Sequence, residues 1–174
     1  YHTHARMKLL VGVSVGAVLL IAVLVTTLVL ILGGGRTVMR VNSKGIGREL
    51  YSYWLSYGKY TYLARNGGDD SPYFWASDNG SGVTHEAACR KETEAYMVQM
   101  LVSAELYDSI GGKLTDSERK MLKSRAEAVL QYDVTSRSAY DKIAKKHGFS
   151  YSAMCEAMIY SYKSEVLRTV MTGD

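Results

Sequence analysis

Proline occurs once in 174 residues, and cysteine, tryptophan and phenylalanine twice each. With a single proline, Pro72, every long periodic stretch is free to run as an uninterrupted helix. Two cysteines are too few for a disulfide framework or a cysteine-rich zinc site. Cys89 and Cys155 fall on separate expected helices. An oxidising compartment would permit a bridge, but nothing forces the two within reach, and buried free thiols are the preferred reading. Also missing are a G-x-S-x-G elbow, a Walker loop, an H-E-x-x-H pair and a dinucleotide fingerprint, so no catalytic or cofactor-binding residue is assigned.

Metal ligands are equally scarce. His2 and His4 form an H-x-H without cysteine or carboxylate companions, while His85 and His147 stand singly near expected helix ends. No metal site follows from them. The acidic loop carrying Asp69, Asp70 and Asp78 is not an EF-hand: counted from Asp78, Gly80 and Gly82 occupy positions that need oxygen ligands. Ordinary turn chemistry is expected there. Asn79-Gly80-Ser81 has the form of a glycosylation sequon, with meaning only in a eukaryotic secretory pathway.

Charge is absent from one long stretch. Residues 9–32 (LLVGVSVGAVLLIAVLVTTLVLIL) contain no charged residue, Asn, Gln or Pro. As a helix this run is about 36 Å long, against a hydrocarbon core of ~30 Å. A secretory h-region is shorter and precedes a small-residue cleavage site, whereas Gly33-Gly34-Gly35-Arg36 follows here. The run therefore reads as an uncleaved transmembrane signal anchor, after a tail over 1–8 and before a Gly-rich hinge over 33–37. Arg6 and Lys8 precede it; Arg36, Arg40, Lys44 and Arg48 follow it, and loop counting alone leaves the orientation open. The formal charge of +4 and pI near 9.0 thus owe much to membrane-flanking residues. A nucleic-acid surface would need that basic charge on the folded part, and none is assigned.

Periodicity assigns the rest, residues 38–174, to a helical domain. Thr37–Val41 reads as a short strand or extended lead-in, with a turn at Asn42-Ser43-Lys44-Gly45. Leu50, Tyr53, Trp54, Tyr57, Tyr60 and Thr61 recur at helical spacing from Ile46 to about Arg65, ended by Asn66-Gly67-Gly68. Residues 66–83 read as a loop. Thr84 caps a second helix through Met97, Leu101, Ala104 and Leu106 to about Ile110. Thr115-Asp116-Ser117-Glu118 is a capping box opening a third, with Met121, Leu122, Ala126, Val129 and Leu130. A fourth, short helix runs from Ser138 to His147, with Tyr140, Ile143 and Ala144 inward. Ser150 caps the last, bearing Met154, Met158, Ile159, Tyr162, Val166, Leu167 and Val170. The expected fold class is all-α: one transmembrane helix, then about five helices with at most one short strand.

What is abundant is tyrosine, with 14, and methionine, with 8. Tyr51, Tyr53, Tyr57, Tyr60 and Tyr62 occupy more than one face of the first helix, so packing on one side cannot bury them all. Exposed Tyr and Met together suit a surface that grips varied polypeptides.

The order of segments resembles a known family. Val41-Asn42-Ser43-Lys44-Gly45-Ile46 leading into Leu50-Tyr51-Ser52-Tyr53-Trp54 resembles the "VNG-x-I-x-x-x-E-x-x-Y" opening of SurA/PrsA-type chaperones, with Ser43 and Lys44 where a single Gly usually follows Asn. Ala104-Glu105-Leu106-Tyr107-Asp108, a Gly pair and Leu114-Thr115-Asp116-Ser117-Glu118 follow in that family's order. Tyr140–Ser150 is similar to its helix, G-(hydrophobic)-S, helix junction. The resemblance spans about residues 38–171. It implies a SurA N-terminal-like domain outside the cytoplasm, on a single-pass protein of the cell membrane, whose partners are unfolded or newly translocated polypeptides. Many members add a parvulin-type peptidyl-prolyl isomerase unit; nothing after Gly148 has its strands or histidine site, so isomerase activity is not carried over. On this reading Tyr53, Trp54, Tyr57, Tyr60, Tyr73, Phe74 and Trp75 are the candidate polypeptide-binding residues. Two alternatives stand beside it. One is the chaperone portion of an isomerase whose catalytic domain lies outside this chain; the other is a scaffold subunit of the membrane with one fixed partner.

Overall fold

The computed structural model describes residues 37–134 and 136–173. The apolar run at 9–32 lies outside them, and among the described residues no helix is long and apolar enough to cross a membrane. Strands β1 (Thr37–Val41) and β2 (Lys44–Gly47) come first. Helices α1 (Arg48–Asn66), α2 (Pro72–Ala76), α3 (His85–Ser109), α4 (Asp116–Asp133), α5 (Arg137–Ala144) and α6 (Tyr151–Thr172) follow, with a 3-10 turn at Lys145–His147 between the last two.

The domain is mostly helical, but two strands are present where at most one was expected. β1 and β2 pair antiparallel, Val41 opposite Lys44 and Met39 opposite Ile46. The turn works because Asn42 adopts φ +50°, a left-handed conformation that Asn tolerates. Ile46 and Gly47 thus belong to β2 rather than to the first helix, and Thr37 to β1 rather than to the hinge. The reason is packing: Val41 and Ile46, each 1% exposed, point from the hairpin into the core. The supposed loop 66–83 also contains α2, where Ser71 accepts the Phe74 amide at 3.2 Å and Pro72 takes a first-turn position.

Helices α1, α3 and α6 enclose the main core. Leu50 and Trp54 from α1, Met97, Met100 and Leu101 from α3, and Ala157 from α6 meet the hairpin there. A second cluster, Ala126 of α4 with Tyr151 and Met154 of α6, joins α4 and α5 to the other side of α6. Tyr53 packs against both clusters. Several residues of the expected helical stripes face solvent, Tyr60 and Thr61 of α1 among them. Ile143 is 52% exposed because α5 lies over the surface on Ala144, and Val170 is 66% exposed on the last turn of α6.

Candidate functional site

The spacing of α1 sends neighbouring aromatic residues in different directions. Trp54 enters the core edge-on to Tyr96 of α3 and Tyr160 of α6, with ring centroids at 6.4 and 5.5 Å. Tyr53 turns to Phe149, edge-on at 5.4 Å. Tyr57, one turn beyond Tyr53, is 49% exposed.

Both α1 and α4 pack on α6, and between them lies a groove of about 270 Å³. Its α1 wall is Tyr53, Trp54 and Tyr57, and its α4 wall is Leu122 and Arg125. Ala157, Met158, Ser161 and Tyr162 of α6 form the floor, closed behind by Tyr96. Exposed Arg125 and Glu165 add side chains of opposite charge. The sequence reading did not select Tyr96, Leu122, Arg125, Met158 or Tyr162. The i, i+4, i+7 stripe of Met158, Tyr162 and Glu165 on one helix face was the available signal.

Two phenols of this groove, Tyr53 and Tyr162, are held in the protonated form. Burial, with smaller contributions from neighbouring phenols, pushes Tyr53 up to about 12. Tyr162 is pushed up to about 12 chiefly because its O–H donates to Glu118 Oε1 at 2.6 Å. The same hydrogen bond, with those from Thr115, holds the Glu118 carboxyl below its usual range. Tyr96 and Ser161 hydroxyls are 3.4 Å apart. Chemically, the groove offers apolar area and a few O–H groups for orientation, which suits binding. The thiols lie elsewhere: Cys89 is buried, Cys155 half-buried, both are free, and burial pushes both up, away from the reactive thiolate.

The other candidates do not line the groove. Tyr60 and Tyr73 are 72% and 85% exposed outside it. Phe74 and Trp75 belong to a second aromatic cluster at the far end of α1. There the Tyr62 hydroxyl lies 3.0 Å from His85 Nδ1, Phe74 stacks on the His85 ring at 4.2 Å, and Trp75 lies 6.0 Å from Tyr62. Trp75 Nε1 donates to Asp70 at 2.8 Å, and Lys59 pairs with the same carboxylate at 2.7 Å. These contacts fasten α2 and its loop to α1 and α3, so Phe74 and Trp75 place much of their apolar area internally. Asp78 accepts the Gly80 amide at 2.6 Å, the turn chemistry expected of that loop. Among the described residues no three His, Cys, Asp or Glu side chains gather as a metal site.

Compared with protein-family models, curated proteins and solved structures, this chain matches none.

Proposed function

We propose that the protein is a membrane-anchored extracytoplasmic holdase, in which the groove between α1 and α4 binds exposed apolar segments of unfolded or newly translocated polypeptides. The observation that carries this reading is the groove itself: open, walled on one side by Tyr53, Trp54 and Tyr57, floored in part by Met158, and edged with hydroxyl groups. At about 270 Å³ it takes one or two client side chains at a time, so binding is weak and the client is released to fold. The apolar run at 9–32 and the ordered SurA/PrsA-like segments support an anchor and an extracytoplasmic domain. Anchoring raises the effective concentration of the groove for chains emerging at the same membrane.

The test is aggregation suppression by the full chain in lipid nanodiscs, with an unfolded client. Suppression at a several-fold excess is expected. Tyr57→Glu places a charge at the half-exposed wall and is expected to weaken client binding about tenfold with the helical content unchanged. Full suppression by Tyr57→Glu would remove the groove from the mechanism. No suppression, with capture of one stoichiometric partner, moves the assignment to a scaffold subunit.

A further inference from the structure

The end of the domain where the chain enters carries a basic surface that the groove does not use. Thr37 pairs opposite Gly47, beside the first residue of α1, Arg48. The α5–α6 junction lies against the same turn. Glu49 Oε2 accepts a hydrogen bond from Ser150 Oγ, and a Cβ built on Gly148 would stand 3.0 Å from Ser52 Oγ. The exposed 3-10 turn Lys145-Lys146-His147 is thereby packed against the first turns of α1, the helix that opens with exposed Arg48.

The basic strip continues along α5. Arg137, Lys142 and Lys145 line one shallow depression with Ser138 and Asp141. The Arg137 guanidinium lies 5.1 Å over the Tyr151 ring, which keeps the start of α5 on the N-terminal turn of α6. Of the carboxylates nearby, two are turned to a structural task. Asp141 accepts the Tyr151 amide at 2.7 Å, and Glu49 holds Ser150. Among the described residues, none of Arg48, Arg137, Lys142, Lys145 and Lys146 is within 4.0 Å of a carboxylate oxygen, whereas Lys44, Lys59, Arg65 and Lys163 are paired.

On the anchor reading, chain length limits how far this surface can stand from the bilayer. Five peptide steps separate Leu32, the last residue of the apolar run, from Thr37. Fully extended they reach about 18 Å. A headgroup layer is ~5–7 Å deep, and electrostatic attraction extends a further ~8 Å.

We infer that the surface formed by Arg48, Arg137, Lys142, Lys145 and Lys146 docks on anionic lipid headgroups, holding the domain against the bilayer in which it is anchored. The inference rests on the anchor part of the proposed function and is independent of client binding. Nucleic acid is the less suitable polyanion, because the strip is short and has no row of exposed aromatic rings for base stacking. Each Lys or Arg at an anionic surface contributes about fivefold to partitioning, so the cluster is sufficient to orient a domain that is already tethered.

The test is amine acetylation, read by mass spectrometry, of the full chain in nanodiscs of phosphatidylcholine alone or with phosphatidylglycerol at about three parts in ten. Lys145 and Lys146 are expected to react at least about threefold more slowly in the anionic discs, the difference vanishing near 0.5 M salt. Lys91, on the part of α3 that faces the far end of α1, is expected to react equally in both. In Lys145→Glu/Lys146→Glu, which alters only exposed side chains, the protection of Lys142 should be lost while circular dichroism is unchanged. Equal rates for Lys145 and Lys146 in the two discs overturn the inference and leave the anchor standing. Equal protection by an RNA oligonucleotide on neutral discs overturns the assignment to lipid. Failure of the chain to enter the discs overturns the anchor and the inference together.

Discussion

At position 58 nothing larger than hydrogen fits. A Cβ there would lie 2.1 Å from Thr93 Oγ1 and 2.7 Å from its Cγ2. Thr93 is buried, and its hydroxyl donates to the Cys89 carbonyl at 2.8 Å, so it cannot swing aside. Gly58 therefore allows a close approach of α1 to Thr93 of α3, although glycine costs ~1 kcal/mol of helix propensity relative to alanine. Gly58→Ala is expected to destabilise the fold by about 1–3 kcal/mol, the overpacking cost exceeding the propensity gain. In urea unfolding, Thr93→Ala in the Gly58→Ala background should recover part of that loss; strict additivity of the two changes would show that the clash is not the cause. Little of this was legible in the sequence. The apolar spacing of α1 shows that Trp54 faces inward, but which glycine meets a neighbouring helix depends on a crossing point that periodicity does not encode. For the same reason the seven aromatic candidates scatter: Tyr53, Trp54 and Tyr57 line the groove, Phe74 and Trp75 join the second cluster, and Tyr60 and Tyr73 face solvent, a division that depends on tertiary packing.

Helix ends follow more local chemistry, and there sequence and structure agree closely. Thr84, Thr115 and Ser150 each accept an amide three residues ahead, and Gly67 closes α1 at φ +63°. The second strand of the hairpin was not legible, because Lys44–Gly47 has two glycines and one β-branched residue and gains its place from burying Ile46. Likewise α2, with five residues, is too short to show a period. The capping box of α4 has a role beyond its own helix. Glu118 receives the Thr115 amide at 2.6 Å through Oε2 while Oε1 accepts from Tyr162 of α6, so one carboxylate both closes the turn and ties α4 to the groove floor. Thr115→Ala is expected to cost about 1 kcal/mol. It should also raise hydrogen exchange in the first turn of α4, with α1 and α3 unaffected. Exchange increased evenly over the whole domain would mean that the cap acts on global stability alone.

Across the molecule, two apolar clusters share α6, and the polar links between elements set how stability depends on pH. On the acid side, burial alone would raise Asp108, but hydrogen bonds from Lys163 at 2.6 Å and Lys44 at 2.7 Å outweigh it and hold the carboxyl low. Glu118 is held low by Tyr162. A carboxyl whose folded pKa is depressed contributes stability above its unfolded value, here 3.8 for Asp and 4.5 for Glu, and loses it as pH falls through the folded value. On the alkaline side, Tyr51, Tyr53 and Tyr162 are all pushed from 10.0 up to about 12. Their contribution is complete below the unfolded value and is lost as pH rises through the folded one. Melting temperature should therefore be level through neutral pH, fall below the carboxyl range, and fall again between 10.0 and about 12. Two substitutions separate the causes, because each removes a titrating hydroxyl and keeps the ring. Tyr53→Phe should flatten the alkaline fall and leave the acid fall unchanged, since Tyr53 is raised chiefly by burial. Tyr162→Phe should flatten both, since Glu118 loses the donor that depresses it. An unchanged acid limb in Tyr162→Phe would break the link between the α4 cap and the groove floor, and would leave Asp108 as the carboxylate that governs acid unfolding.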